Sequence, residues 1–326
     1  MIPIEDANEA NETEEGEKRT AQPAPDERKQ EPELEQEPEE HLARTNRGSL
    51  ASTDKALTVN DLERALLKRF PAADAEDWDR TGLLAGDPAK LVTGVMCALD
   101  PTVSAVRAAE RSHANVLLTH HPAFIDAPRT FTASQVRSKA GAVVWEAASR
   151  GVALMNFHTA LDVSPEGVRV LPRLLSLDFE SVLVQAGTGA GKGYGAFCRV
   201  REGDDPFTVG RLAARCTAVL GRAPRVWGDF DRELETVVCA NGSASGVVDA
   251  AVRADAGCLV CGEIKYHDAL AASEAGLAII EVGHDSSELP LAALLAAEVR
   301  KLGLPADRVM VLDQSSNWSY PDSTRL

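Results

Sequence analysis

Beyond residue 53 the apolar positions fall into short β-rich runs and helical stripes that alternate along the chain. Thr58-Val59-Asn60-Asp61-Leu62 opens the series. Thr58 or Asn60 can cap a helix that runs to about Phe70 with apolar residues at helical spacing. After Pro88, runs at Leu91 to Leu99, Val116 to Thr119 and Val152 to Phe157 alternate with helical stretches at Pro101 to Ser112 and Ser134 to Ser149. That alternation predicts βαβ units around a mostly parallel sheet. A glycine-rich break over Gly187 to Gly193 predicts a loop or lobe boundary. A second series follows it, with strands near Tyr194 to Arg201, Thr236 to Ala240, Cys258 to Cys261 and Leu277 to Val282. Its helices fall near Phe207 to Leu220, Val247 to Ala256 and Tyr266 to Glu274. The expected organisation is a first α/β lobe over 54–186 and a second over 187–326. The final helix (Leu289 to Leu302) and strand (Arg308 to Leu312) can complete either lobe, so the segment from about 284 stays open between them.

Charge changes this picture only at the start of the chain. The first fifty residues hold fifteen Asp or Glu and six Lys or Arg, which is −9 of the net −16 and leaves −7 for the rest. The stretch Glu31-Pro32-Glu33-Leu34-Glu35-Gln36-Glu37-Pro38-Glu39-Glu40 is polar, like-charged and punctuated by proline, so residues 1–53 read as an acidic disordered leader. A body charge of −7 offers no basic stripe for a phosphate backbone, which disfavours nucleic acid as a partner. The opening residues lack a basic region followed by an apolar one, and no apolar stretch is long enough to span a bilayer. The expectation is a soluble cytoplasmic protein with no membrane partner. Six cysteines scattered through apolar segments suit buried thiols in a reducing compartment. Cys258 and Cys261 have C-x-x-C spacing, but on a strand their side chains face opposite ways, and there is no second pair.

Ligands of open α/β sheets gather beyond the carboxyl ends of strands, so the residues that follow the apolar runs are the candidates for chemistry. Val116 to Thr119 leads into His120-His121-Pro122, and Val152 to Phe157 leads into His158-Thr159-Ala160-Leu161-Asp162. Ala278 to Val282 leads into Gly283-His284-Asp285-Ser286-Ser287-Glu288. Adjacent side chains on an extended backbone point apart, so His120 and His121 reach two neighbouring ions rather than one. Asp162 and Glu288 can supply bridging or terminal oxygens. Three imidazoles and two carboxylates without a thiolate suit two divalent ions of zinc, iron or manganese. Pro290 is tolerated near a helix start, so Asp285 to Glu288 form a first turn that brings Glu288 close to His284. His267 reads either as a proton donor, as a group behind the ligands or as a surface histidine. The Asn241 to Gly246 segment reads either as an anion-binding loop or as a tight β-to-α turn.

Five motifs, in order, resemble the signatures of the Ngg1-interacting-factor-three-like family, also called GTP cyclohydrolase I type 2 homologues or dinuclear metal centre hexameric proteins. They are Asp77-Trp78-Asp79-Arg80-Thr81-Gly82-Leu83-Leu84-Ala85-Gly86-Asp87-Pro88, Thr119-His120-His121-Pro122, His158-Thr159-Ala160-Leu161-Asp162, Gly262-Glu263-Ile264-Lys265-Tyr266-His267-Asp268-Ala269-Leu270, and Gly283-His284 with Glu288. The resemblance runs from about residue 58 to the C-terminus. It implies two similar α/β lobes with mixed or parallel sheets, a di-metal site in the cleft between them, and a homohexameric ring. Its metal ligands fall on His120, His121, Asp162, His284 and Glu288, and His158 and His267 match positions near the site, where the expectation is either proton transfer or support from behind the ligands. The sequence departs from the pattern at Arg80, where the family commonly has Asn, and the first Gly of the family's Gly-Gly-Ser-Gly-type loop is not kept at Ala240-Asn241-Gly242-Ser243. The implied activity is metal-dependent hydrolysis of a nucleotide or other phosphate-containing small molecule, resembling that of a GTP cyclohydrolase. The alternative is a non-catalytic metal-binding hexamer that serves as a scaffold or binds a partner.

Overall fold

Helix α1 (Val59–Arg69) begins where Thr58 closes a capping box: its side-chain oxygen accepts from Asp61 N at 3.1 Å, and the Asp61 carboxylate accepts from Thr58 N at 3.3 Å. The computed structural model describes residues 56–201, 203 and 206–321, so the acidic leader expected over 1–53 lies outside the described residues. Strands β1 (Gly82–Ala85), β2 (Val95–Ala98), β3 (Val116–Thr119) and β4 (Ala153–Asn156) follow, with helices α2 (Val103–Arg111) and α3 (Lys139–Arg150) as the crossovers. β2, β3 and β4 run parallel, and β1 pairs antiparallel with β4. Both faces of this sheet are covered, which is why its strands are apolar at successive positions. Val95, Cys97, Val116 and Leu118 join the core beneath α1, while Met96, Ala98 and Leu117 join the core beneath α2 and α3.

Two short helices, α4 (Thr159–Asp162) and α5 (Val170–Leu174), carry the chain to the second sheet. Its strands are β5 (Asp178–Gln185), β6 (Gly193–Arg199), β7 (Arg225–Trp227), β8 (Thr236–Ser243), β9 (Cys258–Glu263) and β10 (Ala278–Glu281), in the order β5-β6-β8-β9-β10-β7. β8, β9 and β10 are parallel, and the remaining pairings are antiparallel. Helices α6 (Val209–Leu220), α7 (Val248–Arg253) and α8 (Tyr266–Glu274) connect them. Cys258 and Cys261 enter different cores, on opposite faces of β9, and all six cysteines are free and buried. The glycine-rich segment 187–193, where the sequence suggested a lobe boundary, turns β5 back into β6 within one sheet. The passage between sheets falls earlier, at α4 and α5.

The chain then returns to the first sheet. Helix α9 (His284–Arg300) leads to β11 (Val309–Val311), which pairs in parallel with β2 and completes the order β1-β4-β3-β2-β11. α9 touches β2 and β11 of the first sheet as well as β8 and β9 of the second. Its Leu291, Leu295, Ala296 and Val299 are buried in the core shared with α1. The fold is therefore mixed α/β with two mixed sheets joined along one helix. No described helix is long and apolar enough to cross a membrane.

Candidate metal centre

β2, β3 and β4 end at one edge of the first sheet, and an ionisable side chain follows each end: Asp100, the pair His120 and His121, and His158. The N-terminus of α9 arrives from the end of β10 and contributes His284 and, one turn later, Glu288. The site is thus assembled at the carboxyl ends of parallel strands from both sheets.

His120 is fully buried, and its Nδ1 lies 3.1 Å from the Phe157 carbonyl, which can only accept, so Nδ1 carries the proton. The other ring nitrogen, Nε2, is 3.6 Å from Asp162 Oδ1 and 3.7 Å from Glu288 Oε1. These separations are too long for hydrogen bonds, and both His120 Nε2 and Asp162 Oδ1 are buried without a hydrogen-bond partner. His121 is held at Nδ1 by Asp100 Oδ1 (2.8 Å), and its Nε2 lies 3.0 Å from Glu288 Oε2. His284 has Nδ1 3.2 Å from Glu263 Oε1 and Nε2 3.0 Å from Glu288 Oε2. In each case an oxygen behind the ring turns one nitrogen toward Glu288. The two oxygens of Glu288 face different company: Oε1 faces His120, and Oε2 faces His121 and His284.

Candidate ligand atoms form three overlapping groups, each within 4.8 Å: His120 with Asp162 and Glu288, His121 with His284 and Glu288, and His120 with His121 and His158. Two donors each ~2.1 Å from one ion sit ~3.0–3.4 Å apart at tetrahedral or octahedral angles. The separations of 3.0 to 3.7 Å are of that order. The electrostatics agree. Burial raises the Asp162 pKa. Burial would also raise that of Glu288, but the surrounding imidazoles outweigh it and hold the carboxyl well below its usual range. Burial opposes charge on His121, yet its bonds to Asp100 and Glu288 push its pKa up to about 10. The bond to Glu288 pushes His284 up to about 9. The cluster of carboxylates thus favours positive charge at the points the imidazoles surround. The donor set of imidazoles and carboxylates, with two orphaned buried atoms, fits divalent metal ions.

Glycines permit the crowding. Gly242, at φ +57° in an irregular part of β8, donates its N–H to Ser287 Oγ at 2.8 Å. A Cβ at Gly242 would lie 2.1 Å from Glu288 Oε1, and a Cβ at Gly262 would lie 2.5 Å from both Gly242 O and Ser287 Oγ. Within the Asn241 to Gly246 segment, Gly242 is therefore packed against α9, with its N–H directed at Ser287.

The five expected ligands all meet in this cluster. His158, expected near the site, lies inside it: its Nδ1 is 3.1 Å from the buried Asp79 carboxylate, and its ring centroid is 5.1 Å from that of His120. His267 is not brought in. It is exposed on α8 with its ring against Tyr266, so a proton-transfer role for it finds no support in the cluster's geometry. The anchoring carboxylates Asp79, Asp100 and Glu263 went unassigned in the sequence reading. Asp100 and Glu263 each follow or end a buried strand, so the strand-end rule extended to β2 and β9 would have found them. Asp79 carries no such signal. Beside the cluster opens a cavity of about 580 Å³ that reaches from Asp162 and Glu288 out to Trp78 and Tyr194.

Two mixed sheets joined by a helix, with histidines and carboxylates that can hold metal gathered at their strand ends, define a class of α/β proteins. The profile of the Duf34/NIF3 (NGG1p interacting factor 3) family matches residues 57–317, and the chain belongs to that family. It is 29% identical over 251 residues to a "GTP cyclohydrolase 1 type 2 homolog" of Streptomyces coelicolor, covering 75% of this chain and 86% of the relative. It is 26% identical over 249 residues to a protein of the same name from Clostridium acetobutylicum, covering 75% and 90%. Its fold is similar to that of a hypothetical protein of Staphylococcus aureus, with TM-score 0.73 and 24% identity, covering 82% of this chain and 100% of that one.

Proposed function

We propose that the chain is a dinuclear-metal-dependent hydrolase acting on a purine-type heteroaromatic ring, as the name of its relatives suggests. The observation that carries the reading is the division of Glu288: one carboxylate whose Oε1 faces His120 and whose Oε2 faces His121 and His284. Zinc, iron or manganese ions would be held by His120, His121, Asp162, His284 and Glu288, the last offering an oxygen to each group of imidazoles. Such ions would supply Lewis acidity and would make water nucleophilic at neutral pH.

The chain's own groups divide the remaining work. Asp100, Glu263 and the Phe157 carbonyl orient the three imidazoles. His158, steered by Asp79 and bordering the cavity, is the group suited to moving a proton. Hydrolysis adds water across a C–N bond, with oxygen going to carbon and a proton to the departing nitrogen, and His158 can carry that proton between them.

The test compares wild type with Glu288→Ala by elemental analysis and by turnover of GTP and a panel of nucleotides. Wild type should carry about two equivalents of metal and turn over a member of the panel, and the variant should lose both. Two equivalents of metal with no turnover that the variant abolishes would overturn the hydrolase and leave a metal-binding scaffold. The homohexamer that the family resemblance implies is part of the same proposal, and sedimentation of wild type checks it.

A further inference from the structure

The cavity beside the cluster is lined by two chemically different sets of side chains. One set is Asp162, Glu288, His284 and His158; the other is Trp78, Tyr194, Glu76 and Asn241. Trp78 is 53% exposed, although its ring meets that of His158 in a T-shaped arrangement with centroids 5.7 Å apart. A large indole left uncovered at the wall of a cavity, beside a candidate reactive centre, offers a flat apolar face to whatever enters. Buried Val168 and Val247 add further apolar wall.

In the second set, Glu76 and Asn241 offer acceptors. The Glu76 carboxylate takes a hydrogen bond from Tyr194 OH at 3.0 Å and has capacity for more. Asn241 donates Nδ2 to the Gly167 carbonyl at 3.1 Å, which leaves Oδ1 as an acceptor. Among the described lining residues there are three carboxylates, Glu76, Asp162 and Glu288, and neither Lys nor Arg. A polyphosphate needs cationic side chains or a row of free backbone N–H groups, and the Gly242 N–H on this turn already donates to Ser287.

We infer that the Trp78 wall of this cavity binds an amino-substituted heteroaromatic ring, uncharged or cationic, at the level of a base or nucleoside, and that it makes no favourable contact with a triphosphate. Trp78 stacks on the ring, while Glu76 and Asn241 accept from its amino and ring N–H groups. The ring edge directed inward faces the histidine and carboxylate cluster. The inference rests on the reading of that cluster as the reactive centre, but the binding wall itself contains none of the candidate metal ligands.

Calorimetric titration with guanosine and with GTP, on protein as purified and after metal removal with EDTA, tests it. Guanosine should bind in both states, and GTP should bind more weakly than guanosine once metal is removed. Trp78→Ala should weaken guanosine binding by about tenfold, the scale of one lost base–aromatic stack, with metal content and melting temperature unchanged. Trp78→Phe keeps a stacking face and should retain most of the affinity. The inference is overturned if folded wild-type protein fails to bind guanosine, if Trp78→Ala binds it as wild type does, or if GTP binds the stripped protein more tightly than guanosine. Failure of the metal reading looks different: Glu288→Ala would then carry as much metal as wild type, whatever guanosine does.

Discussion

Gly242→Ala is the sharpest perturbation of the site, because it adds one methyl group and alters no polar atom. The new Cβ would lie 2.1 Å from Glu288 Oε1 and 3.1 Å from Glu288 Cδ. An ordinary contact requires the carboxylate to retreat by ~1 Å, well beyond the ~0.2 Å tolerance of a metal–ligand bond. Glu288 is buried and bonded to His121 and His284, so it cannot swing aside without breaking those contacts. The backbone adds a second cost: alanine at φ +57° is destabilised by about 1–2 kcal/mol relative to glycine, partly offset by the lower entropy of the unfolded chain.

Gly221 separates the two costs. It ends α6 at φ +73° with nothing within 4 Å of an added Cβ, so Gly221→Ala carries the backbone cost alone. Both variants should melt a few degrees below wild type, on the scale of ~2–4 °C per kcal/mol for a chain of this size. Only Gly242→Ala should lose metal affinity, by at least about tenfold to a hundredfold, as when a ligand's support is removed. The assay is metal titration against a competing chelator, with thermal melts of the same samples. Gly242→Ala with wild-type metal affinity would refute the argument, since Glu288 would then either move freely or play no part in holding metal.

Two further outcomes follow from groups outside the ligand set. Gln314 is 6% exposed; its Oε1 accepts from Leu99 N and Asp100 N, each at 2.9 Å, and its Nε2 donates to the Asp100 carbonyl at 3.1 Å. Gln314→Ala strands those donors and should cost about 1–3 kcal/mol in a denaturant melt; a loss within measurement error would mean that water or a shifted backbone replaces the amide. Asp74 accepts from Thr188 N at 2.6 Å and pairs with Lys192, contacts that hold its carboxyl below the usual range although burial opposes them. A depressed folded-state pKa stabilises the fold above the unfolded value of about 3.8, and the benefit is lost as pH falls through the folded pKa. The stability gap between wild type and Asp74→Asn should therefore be constant near neutrality and close in acid. A gap that persists unchanged in acid would argue that shape, not charge, holds the glycine-rich hairpin.

What could be read from the chain follows from burial. β3 and α8 fall at the predicted residues, β3 because a strand covered on both faces has no polar position to blur its limits. β5 and β7 are edge strands with partly exposed positions such as Glu180 and Arg225, and they leave no period to detect. The candidate ligands were legible because strand termini are local features. Glu288 joined them because a helical turn fixes its distance from His284.

The supporting contacts were hidden for the complementary reason: each pairs segments that only the fold brings together. Asp79 meets His158 across 79 positions, and Gln314 meets Asp100 across 214. Gly242 approaches Glu288 only because α9 packs against β8 and β9 while its other side enters the core of the first sheet. That double contact has a consequence for the site. Glu288 leaves a helix wedged between two sheets, and it faces His120 and His121 from the end of β3 together with His284 from the first turn of its own helix. A helix gripped by both sheets has little freedom to follow one of them, so His284 and Glu288 are held together at a fixed point against the histidines that follow β3. A carboxylate that faces imidazoles on both of its oxygens needs that rigidity, and neither sheet alone could provide it.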